Sequence, residues 1–163
     1  MKLFSSSILI VTVFTLFGFS KSEEQDMYLK SVFNSVKGKD FSGFKKLMIS
    51  STEFMALTEK TTWSPEKKEL VKRRITQEYL DKKTEENFEE IMKKSDETGF
   101  MWANAIVDST NYNERIKEGL QEMRFTIYIS SGKKRGRLSA DKCLKTDNGW
   151  KLSNGLGFYS EIK

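Results

Sequence analysis

The chain predicts an α+β fold in which N-terminal helices pack against an antiparallel sheet. Three observations carry that reading. Apolar residues recur at helical spacing as far as Gly99. Beyond Gly99 the apolar period drops to two. The closing stretch "KCLKTDNGWKLSNGLGF" sets an Asn-Gly turn between two alternating segments, as a hairpin requires.

The elements follow in order. Residues 24–37 align Met27, Leu29, Val32, Phe33 and Val36 on one helical face, and "KGKD" ends that helix. A short second helix carries Phe41, Phe44, Leu47 and Met48. In "TTWSPEKKELVKRRITQEYL" Ser64 is an N-cap and Pro65 a first helical residue, with Leu70, Ile75 and Tyr79 as the apolar stripe. In "TEENFEEIMKKSDETG" Thr84 is the expected cap, Phe88, Ile91 and Met92 the stripe, and Gly99 the stop. Whether these two helices join through residues 81–83 is left open by the pattern.

Strands come next. "FMWANAIVD" divides into a small face (Met101, Ala103, Ala105, Val107) and a larger mixed one (Phe100, Trp102, Asn104, Ile106, Asp108). "MRFTIYIS" sends Met123, Phe125, Ile127 and Ile129 one way and Arg124, Thr126, Tyr128 and Ser130 the other. "SGKKRGR" reads as a turn and "RLSADKCLK" as the returning strand. "TDNG" reads as a type I′ hairpin loop, with Asn148 and Gly149 both at positive φ. Trp150 follows that turn, shares a face with Leu152, and is expected to be buried against the helices.

Composition narrows the function. The first twenty residues read as an export signal: Lys2 starts it, Leu3 to Phe19 is uncharged, and Gly18 and Ser20 are small residues before a cut after Ser20. The apolar run falls short of the ~20 residues of a spanning helix. Residues 21–163 then form one domain, exported to the periplasm or secreted, with no integral membrane span after cleavage. The formal net charge of +5 is spread with both signs interspersed. The 163 residues contain no histidine and one cysteine, which removes Ser-His, Cys-His and His-metal sites and any internal disulfide. No cofactor and no metal is expected.

Two stretches carry a family likeness. "VKGKDFSGFKKLM" resembles the second helix of the nuclear-transport-factor-2-like superfamily, also called cystatin-like. "CLKTDNGWKLSNGLGF" resembles that superfamily's final hairpin. The likeness covers most of residues 24–160 in element order and is most specific in the last twenty or so. It implies a cone, in which a curved antiparallel sheet wraps around helices. It also implies a choice among isomerases, dehydratases, cyclase-like enzymes, small-ligand binders and interaction domains, many of them dimeric through the sheet's outer face. Catalytic members use Asp, His or Tyr inside the cone, and this chain has no His.

Several constellations are weighed on that basis. Strict alternation puts Cys143 on the face opposite Leu138 and Ala140, but sends Lys142 inward; a β-bulge near Asp141 would instead turn Cys143 to the core. An exposed thiol between Lys142 and Lys145 would be reactive, whereas a packed one is inert. Lys133, Lys134, Arg135 and Arg137 form an anion patch or a solvated turn, and the lack of interleaved aromatics disfavours nucleic acid. Glu85, Glu86, Glu89 and Glu90 form acidic pairs at helical spacing, suited to a cation or to plain solvation. Trp63, Tyr79, Trp102, Asn104, Asp108 and Tyr128 supply candidate ligand-binding residues: an apolar wall with a few polar groups, or an aromatic core with polar edges.

The leading expectation is a non-catalytic exported domain binding a small apolar or aromatic ligand or a partner protein. One alternative is a cofactor-free proton-transfer enzyme, an isomerase or dehydratase using Asp108 and Tyr128. The other is an anion-binding surface protein. The polar face of "MRFTIYIS" also allows a homodimer.

Overall fold

The computed structural model describes residues 21–160. The expected leader, residues 1–20, lies outside the described residues. Five α-helices precede five antiparallel strands: α1 Lys21–Lys37, α2 Phe41–Leu47, α3 Ser51–Lys60, α4 Pro65–Arg74, α5 Gln77–Thr98, then β1 Ile106–Lys117, β2 Leu120–Ser131, β3 Lys134–Thr146, β4 Gly149–Leu152 and β5 Gly157–Ser160. The α+β expectation is met. Among the described residues no helix is long and apolar enough to cross a membrane.

α1 buries Gln25, Tyr28, Leu29, Val32, Phe33 and Val36, while Met27 faces solvent. The buried stripe therefore begins at Gln25 and Tyr28, one position off the apolar one. Asp40 caps α2 by accepting from the Gly43 N–H at 2.9 Å, and Phe44 is fully buried while Phe41 stays partly exposed. The chain then runs beside β4: Met48 bridges Leu152 in parallel, and the Ile49 N–H donates to the Leu152 carbonyl at 2.9 Å. α3, which the apolar pattern does not predict, starts there. Its signal was a capping box, in which Ser50 accepts from the Glu53 N–H and the Glu53 carboxylate accepts from the Ser50 N–H at 3.0 Å.

Ser64 and Pro65 start α4 as expected. The break that follows is at Ile75–Thr76, not at residues 81–83, because Thr76 recaps the chain by accepting from the Tyr79 N–H at 3.1 Å. Thr84 is thus no cap. It is buried inside α5, and its hydroxyl donates to the Leu80 carbonyl at 2.8 Å. α4 buries none of its residues, and Leu70 and Tyr79 are exposed. Polar contacts hold α4: Lys72 pairs with Glu59 at 2.8 Å, and Lys68 donates to the Glu59 carbonyl at 3.0 Å.

Gly99 ends α5 in the left-handed region at φ 61, where a side chain would clash. Of the next stretch, residues 100–105 are not a strand, and only residues 106–108 belong to β1. Trp102–Asn104 form a 3-10 turn that tucks Phe100, Trp102 and Ala105 into the core, with the Trp102 ring 5.0 Å from Phe100 and 5.1 Å from Phe158. The strand pattern fails here because large aromatics two residues apart are gathered by Phe158 rather than spread along a pleat.

The sheet order is β1-β2-β3-β4, with β5 sharing the β3 edge: β4 pairs with Cys143–Thr146 and β5 with Gly136–Ser139. Three hairpins use three turn chemistries. Glu118 and Gly119 both have positive φ, the type I′ requirement. Gly132 alone is positive in the β2–β3 loop, with Lys133 beside it. In "TDNG" only Gly149 is positive, at φ 95, and Asn148 is not. That hairpin is therefore not type I′. The pattern is that of an ordinary turn closed by a left-handed glycine.

Register assigns the faces. Met123, Phe125, Ile127 and Ile129 of β2 point to the helices with Leu138, Ala140 and Cys143 of β3, and all are buried. Between Met123 and Phe125 the register slips: Asp141 and Lys142 together oppose Arg124. This bulge turns Cys143 inward. α1, α2 and α5 supply the other side of the core through Val32, Val36, Phe44, Phe88 and Ile91. A second, smaller cluster joins Ile49, Leu57, Leu120 and Leu144. Leu144 alternates with Cys143 and so lies on the outer face, which α3 covers at this end.

Trp150 is 4% exposed and belongs to the main core, as expected. Trp150→Ala should destabilise the protein by about 3–5 kcal/mol, read as a lowered denaturant midpoint with an unchanged slope. A midpoint equal to wild type would remove Trp150 from the core.

Candidate functional site

The helix-facing side of the sheet is filled. Its core runs without interruption from Tyr28 and Val32 through Phe125 and Leu138 to Phe158. Trp102, one of the candidate ligand contacts, is 3% exposed within that core. The other candidates do not gather around it. Trp63 sits by the β1–β2 turn, where its indole N–H donates to Glu118 and the Lys67 ammonium lies 4.1 Å over its ring. Tyr79 is exposed on the first turn of α5, and Asn104 is exposed in the 3-10 turn. Asp108 and Tyr128 do share one face, but it is the outer one. Asp108 is the bulged residue of β1 and accepts from the Ser130 hydroxyl at 2.8 Å. Both side chains are exposed.

The basic patch also divides. Only Lys133 lies in the loop, because β3 starts at Lys134. Lys134 donates to the carbonyls of Thr98 and Gly99 at 2.5 and 2.9 Å, satisfying the end of α5. Arg135 and Arg137 fall on the outer face. Arg137 lies between Tyr128 on β2 and Tyr159 on β5, its guanidinium 5.0 Å from the Tyr159 ring centre. Of the acidic pairs on α5, Glu86 binds Lys83 at 2.7 Å and Glu90 binds Lys94 at 2.6 Å. Among the described residues no three acidic or thiol groups are placed to hold a metal ion.

Strand register assembles an open polar surface on the outer face of the sheet. One row crosses the sheet as Ser109, Tyr128, Arg137, Tyr159. The next row runs Asn111, Thr126, Ser139, Gly157. A third begins Asn113, Arg124 and meets the bulge at Asp141. These rows floor a shallow groove of about 380 Å³ that includes Asn111, Arg124, Thr126, Arg137, Asp141 and Tyr159. A smaller hollow of about 260 Å³ adjoins it between Tyr128 and Tyr159. Tyr128 is 43% and Tyr159 52% exposed. Among the described residues Arg124, Arg135 and Arg137 make no ion pair, so their charge is presented to solvent.

The alternation of "MRFTIYIS" had already put Arg124, Thr126 and Tyr128 together. Missing were the strand "NYN" of β1, whose polar side chains hide it, and Tyr159, whose place depends on β5 skipping β4 to pair with β3.

The border of this face is set by Glu122. Its carboxylate is nearly buried, and it accepts from Arg115 Nη2 at 2.8 Å and from Lys142 at 3.2 Å. Burial alone pushes its pKa up, but the hydrogen bonds and charges of Arg115 and Lys142 outweigh that and hold it below the ordinary glutamate value. Cys143, by contrast, is fully buried, and the Tyr28 hydroxyl points at its sulfur from 3.9 Å. Burial pushes its thiol up to about 12, against a small opposing effect of that hydroxyl. The thiolate nucleophile is therefore scarce at neutral pH.

Compared with protein-family models, with curated proteins and with solved structures, the chain matches none.

Two outcomes follow. Native protein at pH 8 should resist a thiol reagent such as dithionitrobenzoate, and denatured protein should release one equivalent at once; rapid labelling of the native state would show an accessible Cys143. A depressed folded-state pKa at Glu122 means the unfolded chain binds the proton more readily. The stability from this group is therefore present above the unfolded value of about 4.3 and is lost as pH falls through the lower folded value. Glu122→Gln should flatten that part of the acid-unfolding curve, and a curve identical to wild type would contradict the assignment.

Proposed function

We propose that the protein is a non-catalytic recognition domain that meets its partner on the open outer face of the sheet. The reading takes the chain as an exported domain of the nuclear-transport-factor-2-like kind, with residues 1–20 as its leader. The observation that carries it is the row Tyr128–Arg137–Tyr159, two exposed aromatic rings and a guanidinium with no ion pair among the described residues, on adjacent strands of one sheet. Exposed tyrosine and arginine are the side chains that most often anchor contacts. α3 covers the opposite end of the same face, so the surface has a defined boundary.

The packed core argues against a ligand held between helices and sheet. Proton transfer by Asp108 and Tyr128 is also disfavoured. Both groups face solvent, whereas an acid or base that works at neutral pH is tuned by burial and close neighbours.

Native mass spectrometry of protein purified from its own host tests the reading. A retained molecule should be lost from the Arg137→Glu/Tyr159→Ala double variant while the melting temperature stays near wild type, since both sites are exposed. Retention unchanged by that double variant would overturn it.

A further inference from the structure

The outer groove carries more chemistry than exposed charge. Its donors are Arg124 and Arg137, and its acceptors include the carboxylate of Asp141 and the amide oxygens of Asn111 and Asn113. Thr126 and Ser139 add hydroxyls that already contact one another at 3.2 Å and can donate or accept. On either side of Arg137 stand the tyrosine rings, one strand away each. Adjacent strands lie about 4.8 Å apart, so the two tyrosines are separated by roughly 10 Å across the sheet. That is a span two linked pyranose rings cover.

Each feature selects against a different occupant. A purely apolar ligand would leave the guanidinia and amides unpaired, which is costly once water is displaced. The phosphodiester groups of a nucleic-acid backbone bring acceptors only, which would leave the Asp141 carboxylate and the Asn111 and Asn113 amide oxygens without donors. A ligand rich in hydroxyls uses acceptors as well as donors, and the apolar face of its rings suits exposed tyrosine. Arg124, Arg135 and Arg137 have no carboxylate partner among the described residues, so the ligand brings negative charge. We propose that the outer face from Arg124 to Tyr159 binds an acidic oligosaccharide, a chain of pyranose rings carrying carboxylate or sulfate groups. Arg137 receives the anionic group, bidentate where geometry allows. Tyr128 and Tyr159 stack on the rings beside it, and the Asn111 and Asn113 amides take the hydroxyls. Arg124 receives a second anionic group near the bulge.

This inference rests on the outer-face reading, and the test separates the two. Four probes of equal length are titrated calorimetrically against the full chain at low and moderate salt: an oligogalacturonate, a heparin-derived oligosaccharide, a neutral dextran oligosaccharide and an oligoglutamate peptide. The oligogalacturonate and heparin arms distinguish carboxylate from sulfate. Binding is expected for at least one acidic sugar and not for dextran, weakening as salt rises. Arg137→Ala and Arg124→Ala should each weaken it by about tenfold or more, the scale of one lost charge-assisted hydrogen bond. Tyr159→Ala should weaken it and Tyr159→Phe should not, which separates stacking from a hydroxyl contact. Arg73→Ala on α4 should change nothing.

Failure of both acidic sugars to bind overturns the proposal. Oligoglutamate binding as tightly as either sugar, with the same dependence on Arg137, also overturns it, but leaves the outer face as the recognition surface for an acidic peptide. Sugar binding that ignores Arg124, Arg137 and Tyr159 overturns both readings.

Discussion

Two residues of β3, Asp141 and Lys142, stand opposite one residue of β2, Arg124, and much of the architecture depends on that mismatch. Without it, Ala140 and Cys143 would face opposite sides of the sheet. With it, both enter the core, and Leu144 is sent to the other face, where only α3 can cover it. The same irregularity separates the part of β3 that pairs with β5 from the part that pairs with β4. It also sets Lys142 against Glu122 and turns Asp141 into the groove. A bulge thus divides one strand into a core-forming half and a surface-forming half.

The two faces obey different energetics. On the helix side, apolar side chains of three helices and four strands are removed from water together, and burial dominates. On the outer side, α3 hides one end with a few apolar contacts and the rest is left wet. Tyr128 and Tyr159 are about half exposed there, and Arg124, Arg135 and Arg137 make no ion pair among the described residues, so burial and pairing do not account for them. Exposed residues that burial does not account for, held on a packed sheet, are where recognition is normally built. α4 is the converse case. Its sequence is strongly helical and well capped, yet it buries no side chain and is held by Lys72, Lys68 and the Trp63–Lys67–Glu118 contacts.

What could be read from the chain follows the strength of local signals. The helix stop at Gly99, the inward row of β2, the Ser64-Pro65 start and the burial of Trp150 each rest on a strong pattern within a few residues. α3 was overlooked because its apolar stripe is weak, although Ser50 and Glu53 announced it. The pattern leaves the join at residues 81–83 open because a polar stretch reads equally as a loop or as the polar face of a long helix, and the break at Thr76 rests on a single capping hydroxyl. β1 is mostly illegible because an edge strand that buries little shows almost no alternation; in "DSTNYNERIK" only Tyr112 and Ile116 are large apolar-bodied residues, and only Tyr112 packs against the core. The candidate site needed register, which no local pattern supplies. Alternation gathers residues of one strand, but the Tyr128–Arg137–Tyr159 row spans three. It also scattered the anticipated aromatic set, because Trp102 is drawn into the core by Phe100 and Phe158 while Trp63 and Tyr79 lie outside both apolar clusters.

The parallel bridge between Met48 and Leu152 has a consequence for the order of assembly. The link from α2 to α3 leans on the last residue of β4, so the helical half is anchored by a strand made near the end of the chain. The β5 strand, later still, packs beside α5 and closes the aromatic cluster around Trp102. Short helices are marginal alone, and the pairings that would secure them join distant residues, whose loop closure must precede any gain. The helical half therefore gains its full packing only when β4 and β5 are both paired with β3.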